Sequence, residues 1–315
     1  MGLRAAVWDL GSSSFHLLVC EVGKDEALVP VLHRRSTLNL GLSVGRSGSI
    51  PRDRIAASVR AVKRLRAGLS AAKASVVVAV ATAAVRDAAN SAEVVERLER
   101  AVGTEVRVLD GEEEARLCFL GQRAGVWTAP GPTLGMDLGG GSLEVALGDD
   151  DGVALATSAA VGPARLRGEL GTGDPLSDAD RGALCARTAE AVAPIARQLA
   201  RWPQVADRTV VSGGTVRALA RVATARARRT PSAGPGEVNQ VELPAGQVRA
   251  LADTMAGLDL AGRLALPGMQ ARRAALLPVG ATVLCAVATT FGVDRFVVSE
   301  WGLREGALLD ALRRR

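Results

Sequence analysis

Asp9-Leu10-Gly11-Ser12-Ser13-Ser14 recurs as Asp137-Leu138-Gly139-Gly140-Gly141-Ser142. An apolar run leads into each copy, Ala5 to Trp8 and Thr133 to Met136, and another follows, Phe15 to Val19 and Leu143 to Leu147. Both copies therefore read as strand, tight loop, strand, and the matched flanks make duplication a better explanation than chance. Neither loop opens a helix. The chain has no G-x-x-x-x-G-K-[ST] string, and Gly139-Gly140-Gly141 runs on into strand-like Leu143-Glu144-Val145-Ala146-Leu147. A hairpin turn rich in Gly and Ser still suits phosphate, because glycine admits close backbone approach and successive N–H groups form an anion nest.

Outward from the loops the pattern alternates. Ile55, Val59, Val62, Leu65 and Leu69 mark an amphipathic helix surrounded by Arg60, Lys63, Arg64 and Arg66. Ser75 to Ala81 reads as a buried strand, Ser91 to Val102 as a helix, Glu105 to Leu109 as a strand and Glu112 to Arg123 as a helix. In the second half Val153 to Val161 is a strand. A helix then starts at Ser177, with Asp180 completing a capping box, and runs to about Trp202. Arg208 to Ser212 leads as a strand into Gly213-Gly214-Thr215, residues 226–244 form a basic Pro/Gly-rich loop, Arg295 to Ser299 is the last strand, and a helix follows from Gly302. Alternation in both halves predicts an α/β protein of two similar lobes facing across a cleft. At 315 residues two domains are expected: 1–126 with the first loop, and 127–315 with the second. The boundary falls near 124–132, where Trp127-Thr-Ala-Pro-Gly-Pro breaks the pattern, and the last helix, about 302–315, is free to pack back on the first lobe.

A net charge of +6 and a pI near 9.9 favour a polyanionic partner. Nucleic acid is disfavoured: there is no recognisable nucleic-acid motif, and four Phe, four Trp and no Tyr offer little for base stacking. No apolar run reaches the roughly 18 residues of a membrane helix. Cys20, Cys118, Cys185 and Cys285 form no Cys-x-x-Cys pair, and the N-terminus runs straight into a strand without a signal peptide. We therefore expect free thiols in a reducing, cytoplasmic setting. His16 and His33 are the only histidines, which excludes a His-rich metal site.

Asp9 and Asp137, each at a strand end before glycine, would repel phosphate directly. They make better sense holding a hydrated divalent cation, and Mg²⁺ suits carboxylate, water and phosphate oxygen together. Between the loops Glu112, Glu113 and Glu114 open a helix, where acids also complement the helix dipole. Hydrolysis of a phosphoanhydride needs a carboxylate to orient or deprotonate water, and spacing alone does not choose among the three. Arg86 follows a buried strand, where a guanidinium would neutralise a transferring phosphoryl group. Glu144, just past the second loop, would complete a metal or water site or stand as an exposed strand residue.

The string Ala6-Val-Trp-Asp-Leu-Gly-Ser-Ser-Ser-Phe-His-Leu-Leu-Val19 resembles the opening of the exopolyphosphatase/guanosine pentaphosphate phosphohydrolase family. So does Ala81-Thr-Ala-Ala-Val-Arg-Asp-Ala-Ala-Asn90. Gly111 to Leu117, Asp137 to Glu144, Val211 to Thr215 and Leu303-Arg-Glu-Gly306 follow in the family's order. The resemblance covers nearly the whole chain and is nearest to the short, two-lobe actinobacterial members. It implies an actin-like fold of two RNase H-like lobes with the active site in the interlobe cleft. It also implies Glu114 as catalytic base, Asp137 and Glu144 as acids near metal and attacking water, and Arg86 as a phosphate contact. Ser12 to Ser14 and Gly139 to Ser142 correspond to its phosphate loops, which Gly11 adjoins, with Gly213, Gly214 and Thr215 as a third. Ser13 stands where the family usually has Asn, and Leu143 where many members have Thr, a change that would remove one phosphate contact.

The expected activity is Mg²⁺-dependent release of terminal phosphate from inorganic polyphosphate, with Mn²⁺ as a substitute metal and the use of K⁺ open. Hydrolysis of guanosine pentaphosphate (pppGpp), the stringent-response alarmone, is the nearest alternative. An actin-like kinase would use the same loops to pass phosphate to an acceptor, and a weakly active polyphosphate or alarmone sensor would bind without turnover. A homodimer is compatible with the resemblance, although no apolar stripe demands one. The basic helix over 54–66 and the loop at 226–229 are candidate tracks for a long polyanion.

Overall fold

The duplicated hairpins are the centres of two sheets. β1 (Leu3–Leu10) and β2 (Ser14–Val22) pair antiparallel, with Leu10 opposite Phe15 across the first loop. In the computed structural model, which describes residues 2–128, 130–202, 209–228 and 238–314, β3 (Leu28–Thr37) pairs antiparallel to β2. β4 (Val76–Ala81) joins β1 in parallel and β5 (Arg107–Val108) joins β4, giving the order β3-β2-β1-β4-β5. The second sheet repeats the plan. β6 (Thr133–Leu138), β7 (Leu143–Gly148) and β8 (Val153–Ala159) form the antiparallel meander. β9 (Thr209–Ser212) and β11 (Arg295–Val298) add in parallel, and β10 (Glu242–Pro244) closes the edge. Three antiparallel strands followed by two parallel ones, twice over, are the two RNase H-like lobes of an actin-like fold.

The first sheet is followed or interrupted by α1 (Leu40–Ser47), α2 (Arg52–Ala72), α3 (Ala83–Arg86), α4 (Ser91–Val102) and α5 (Gly111–Gly125). The second half carries α6 (Pro163–Leu170), α7 (Asp178–Leu199), α8 (Gly214–Arg228), α9 (Ala245–Ala256), α10 (Leu260–Leu264), α11 (Ala271–Ala274), α12 (Leu277–Phe291) and α13 (Leu303–Arg313). Each lobe has its own core. Trp8, Phe15 and Leu17 pack under Ile55 and Val62 of α2 and Leu98 of α4, and Leu138, Leu143 and Val145 pack under Leu184, Leu219 and Leu284. Ser177 caps α7 in the expected box: its Oγ accepts from Asp180 N at 3.1 Å while Asp180 Oδ2 accepts from Ser177 N at 3.0 Å.

Two helices bind the lobes together. α5 lays Ala115 and Phe119 on Ala146 of the second sheet, while α13 brings Leu308 over Val7, Leu18 and Val80 of the first. The two helices cross at Gly121 and Gly306, where a Cβ on Gly306 would stand 1.8 Å from the Leu117 carbonyl oxygen. Only glycine permits that approach.

The sequence reading had no element for α1, α3, α6 or α9 to α12, and three further segments depart from it. β3 was not anticipated, because it is a mostly exposed edge strand whose apolar run Leu28 to Leu32 and basic run His33 to Arg35 show no alternation. The strand expected over Glu105 to Leu109 is only Arg107–Val108. The loop expected over 226–244 is in part ordered: α8 runs to Arg228 and Glu242–Pro244 pairs as β10, with 229–237 outside the described residues. Among the described residues no helix is long and apolar enough to cross a membrane, and all four cysteines are free.

Candidate active site

The two loops meet. Ser13 N and Oγ lie where a side chain on Gly140 would be, and Ser12 Oγ does the same at Gly141, so the glycines let one lobe's loop seat on the other's. Ser12 is held from behind: Ala84 N donates to its Oγ at 3.0 Å and Gly41 N to its carbonyl at 2.9 Å. The Gly140 carbonyl accepts from Ala164 N at 2.9 Å and Arg165 N at 3.2 Å, which satisfies the start of α6.

Around this contact opens a cleft lined by Asp9, Gly11, Ser12, Ser13, Ser14, Glu114, Asp137, Gly139, Gly140, Gly141, Ser142, Gly213, Gly214 and Thr215. All of these were anticipated. Gly213 adopts φ +108°, a conformation that favours glycine, and turns β9 into α8, whose N-terminal Gly214 and Thr215 face the cleft. A helix start of this kind presents N–H groups and a positive dipole end to an anion. Arg86 and Glu144, also expected here, stand beside the cleft's acids and both act on Glu114 electrostatically. Arg86 stands behind Glu114, donating from Nη1 to Glu114 Oε2 at 2.8 Å and to the Leu109 carbonyl at 3.0 Å. Glu144 is buried opposite Asp137 across the β6–β7 ladder, and its Oε1 accepts from Ser158 Oγ at 3.0 Å. Ser142, which lines the cleft, also bonds this carboxylate. Leu143 points away: it is fully buried in the second core, so no hydroxyl at this position would reach phosphate. The basic helix α2 faces elsewhere. Its Arg52, Arg60 and Lys63 line a separate groove against α4 with no residue in common.

Of the three acids at the start of α5, geometry separates Glu114. Glu113 pairs with Arg107, and Asp110 caps the helix by accepting from Glu113 N at 2.8 Å. Glu114 alone faces the cleft, one turn in. Burial, reinforced by Glu144, raises its affinity for a proton well above the ordinary glutamate range, against the pull of Arg86. Burial likewise lifts Asp9 to about 6, with Asp137 and Glu305 adding to the rise against Arg304, and it raises Asp137 against a hydrogen bond from Ser212.

Three arginines that sequence reasoning did not single out face these acids: Arg217, Arg273 and Arg304. Burial first, then the neighbouring guanidinium groups, draw Arg217 down to about 10 and Arg273 to about 9. Arg217 donates to the Glu300 carbonyl at 2.8 Å, and among the described residues Arg273 has no ion pair. Buried acids at the floor and crowded cations at the mouth suit a polyanion brought in with a cation. Signals for them existed in part: Arg217 is one turn past the Gly213-Gly214 loop, and Arg304 belongs to the Leu-Arg-Glu-Gly string.

A hydrogen-bonded relay links the site across the lobes. Arg86 Nε donates to Asp87 Oδ1 at 3.0 Å, Asp87 pairs with Arg165, and Arg165 Nε donates to the Gly141 carbonyl at 2.9 Å. Among the described residues no three acids, cysteines or histidines gather into a ready-made metal cage. Mg²⁺, however, takes one or two carboxylates and completes its shell with water and substrate oxygens, and the cleft-facing pair Asp9 and Asp137 fits that donor set.

Twin Gly/Ser loops, a buried carboxylate between them and three arginines, set between two RNase H-like lobes, fit a phosphohydrolase site. The chain belongs to the Ppx/GppA phosphatase family, which it matches over residues 18–315, and it is a phosphoanhydride hydrolase. It is 32% identical to exopolyphosphatase 1 of Mycobacterium tuberculosis, over 98% of this chain and 88% of that protein. It is 30% identical to the guanosine-5'-triphosphate,3'-diphosphate pyrophosphatase of Aeromonas hydrophila, over 98% of this chain but 59% of that longer protein. An exopolyphosphatase from Cytophaga hutchinsonii superposes with a TM-score of 0.86 at 26% identity, covering 99% of this chain and 98% of that one.

Proposed function

We propose that the protein is an exopolyphosphatase that removes terminal phosphate from inorganic polyphosphate in the cytoplasm, using a water molecule activated by Glu114. The observation that carries this reading is Glu114 itself: a buried carboxyl with raised proton affinity, facing the cleft between the phosphate loops and oriented by Arg86. The backbone of Gly139 to Ser142, of Ser12 to Ser14 and of the α8 start grips the terminal phosphoryl oxygens. Glu114 takes the proton as the water oxygen bonds to the terminal phosphorus. The bridging P–O bond breaks, and the shortened polyphosphate leaves with the bridging oxygen. Arg86 keeps Glu114 aimed, and Glu144 sustains its basicity through mutual repulsion. Asp9 and Asp137 would hold Mg²⁺, which when bound supplies charge neutralisation beside the phosphoryl oxygens.

The identity to exopolyphosphatase 1 supports this substrate, as does the cleft lining, where no Phe or Trp stands among the described residues. The adjoining groove carries one such ring, Trp301. Phosphate release from polyphosphate, pppGpp and ATP with an acceptor, by the wild type and by Glu114→Ala, tests the reading. Equal rates for both proteins would overturn the role of Glu114. Release from pppGpp alone would transfer the function to alarmone hydrolysis, and binding without release would make the protein a sensor.

A further inference from the structure

The only two histidines of the chain sit on neighbouring strands with their rings stacked, centroids 5.3 Å apart and planes inclined by 22°. His16 on β2 is buried and borders the cleft; His33 on β3 is exposed. Both meet one cation. Arg304 Nη1 lies 3.2 Å from His16 Nδ1 and 2.9 Å from His33 Nε2, and those two ring nitrogens are 3.1 Å apart.

A guanidinium can only donate, so a ring nitrogen bonded to it must present a lone pair. Two lone pairs facing each other at that separation would repel, and a shared NH₂ group of an arginine relieves the repulsion by donating one hydrogen to each. Donation from Nη1 to both rings places the hydrogens of His16 on Nε2 and of His33 on Nδ1 and keeps both rings neutral. Burial first, then Arg304, pushes His16 well below its usual value and His33 to about 4, with Arg217 acting on both. Arg273 adds to this on His16, and Arg35 and Arg272 on His33.

Arg304 stands at a junction. It lines the catalytic cleft and also a second groove, whose lining carries Arg35, Arg217, Arg221, Arg272 and Arg273 against Glu300 and Glu305. A phosphate chain whose end lies at Glu114 would leave the cleft past Arg304 into that groove.

We propose that His16 and His33 form a neutral imidazole clasp that fixes the Arg304 guanidinium where the cleft meets the groove, so that Arg304 grips the phosphates behind the reacting one. His33 is then a positioning residue for substrate length. This inference rests on the polyphosphate reading.

The test compares wild type, His33→Ala, His33→Gln and Arg304→Gln on tripolyphosphate and on long-chain polyphosphate. His33 is exposed on an edge strand, and an unchanged melting temperature would establish that its variants fold. His33→Ala should raise KM for the long chain by about 5–10-fold with kcat within about two-fold, the scale of a weakened charge-assisted contact. Tripolyphosphate, too short to fill the groove, should respond less. His33→Gln, which keeps an acceptor, should recover most of the loss. Adding His33→Ala to Arg304→Gln should have little further effect, because the two act as a unit. An unchanged long-chain KM in His33→Ala, additive effects in the double variant, or equal losses on both substrates would overturn the clasp. Absence of polyphosphate hydrolysis by the wild type would instead overturn the functional reading, so the two failures are distinguishable.

Discussion

Arg86 donates to Glu114 across 2.8 Å, joining the end of the β4–α3 segment to the first turn of α5. The bond ties a cation to the one carboxylate of a three-acid run that faces the cleft. Arg86 is thereby placed to orient Glu114.

Replacing Glu114 by Gln keeps the shape and removes the base. We expect kcat on polyphosphate to fall by about 10²–10⁴-fold, the usual contribution of general-base catalysis, with KM little changed. Steady-state phosphate release measures this. A loss below ten-fold would rule Glu114 out as the base.

The raised proton affinity of Glu114 makes activity rise with pH, with a midpoint above the ordinary glutamate value of 4.5, and Glu114→Gln should lack that limb. Stability runs the opposite way at Glu144, whose carboxyl is lifted to about 7 by burial and then by Asp137. The folded state retains a proton that the unfolded chain releases, so this contribution is complete below 4.5 and lost as pH rises through about 7. Melting temperatures in chelator, free of phosphate, should fall between about pH 5 and pH 8, and Glu144→Gln should flatten the slope.

Arg165 ties the second phosphate loop to Asp87 of the first lobe. Truncating it to Ala should lower kcat/KM by about ten-fold, the effect of letting a phosphate-gripping loop drift. The melting temperature should move little, since one partly solvated pair contributes on the order of 1 kcal/mol at most. Kinetics and a thermal melt on the same preparation separate the two effects.

Gly306→Ala places a methyl group against the Leu117 carbonyl and should force α5 and α13 apart. A loss of about 2–3 kcal/mol is expected, in line with overpacking at a close crossing. The same substitution at Gly246, whose Cβ would meet nothing, serves as the control in chemical denaturation.

Chelation should abolish phosphate release, and Mg²⁺ should restore it. Asp9→Asn and Asp137→Asn should each raise the Mg²⁺ concentration needed for half-maximal rate by about ten-fold or more, as loss of a carboxylate from a hard-cation site predicts. A wild-type rate unaffected by chelator would remove the metal from the reaction.

The paired hairpins were legible because each is a local event: an apolar run, a Gly/Ser turn and a second apolar run, all within a few residues. The start of α5 and the capped start of α7 were legible for the same reason. β3 was not, since an exposed edge strand held only by its neighbour carries no period of its own. Arg273 and Arg217 were hidden among many other arginines, and nothing in their spacing says that α11 and α8 turn them toward one cleft. Leu143 and Glu144 show what spacing alone cannot sort. In a strand alternate side chains point to opposite faces, and packing assigns Leu143 to the core while Glu144 stands opposite Asp137 and accepts from Ser158.

The sequence by itself determined the duplicated strand–loop–strand units, the two-lobe α/β plan and the family, because these depend on residue order and local periodicity. Only the tertiary structure decided that Glu114, which the family motif singled out and spacing did not, faces the cleft, that the two loops touch through Gly140 and Gly141, and that His16, His33 and Arg304 form one cluster. Those relations join residues tens to hundreds of positions apart. They arise from how α5 and α13 cross between the sheets, which is a property of packing and leaves no local trace in the chain.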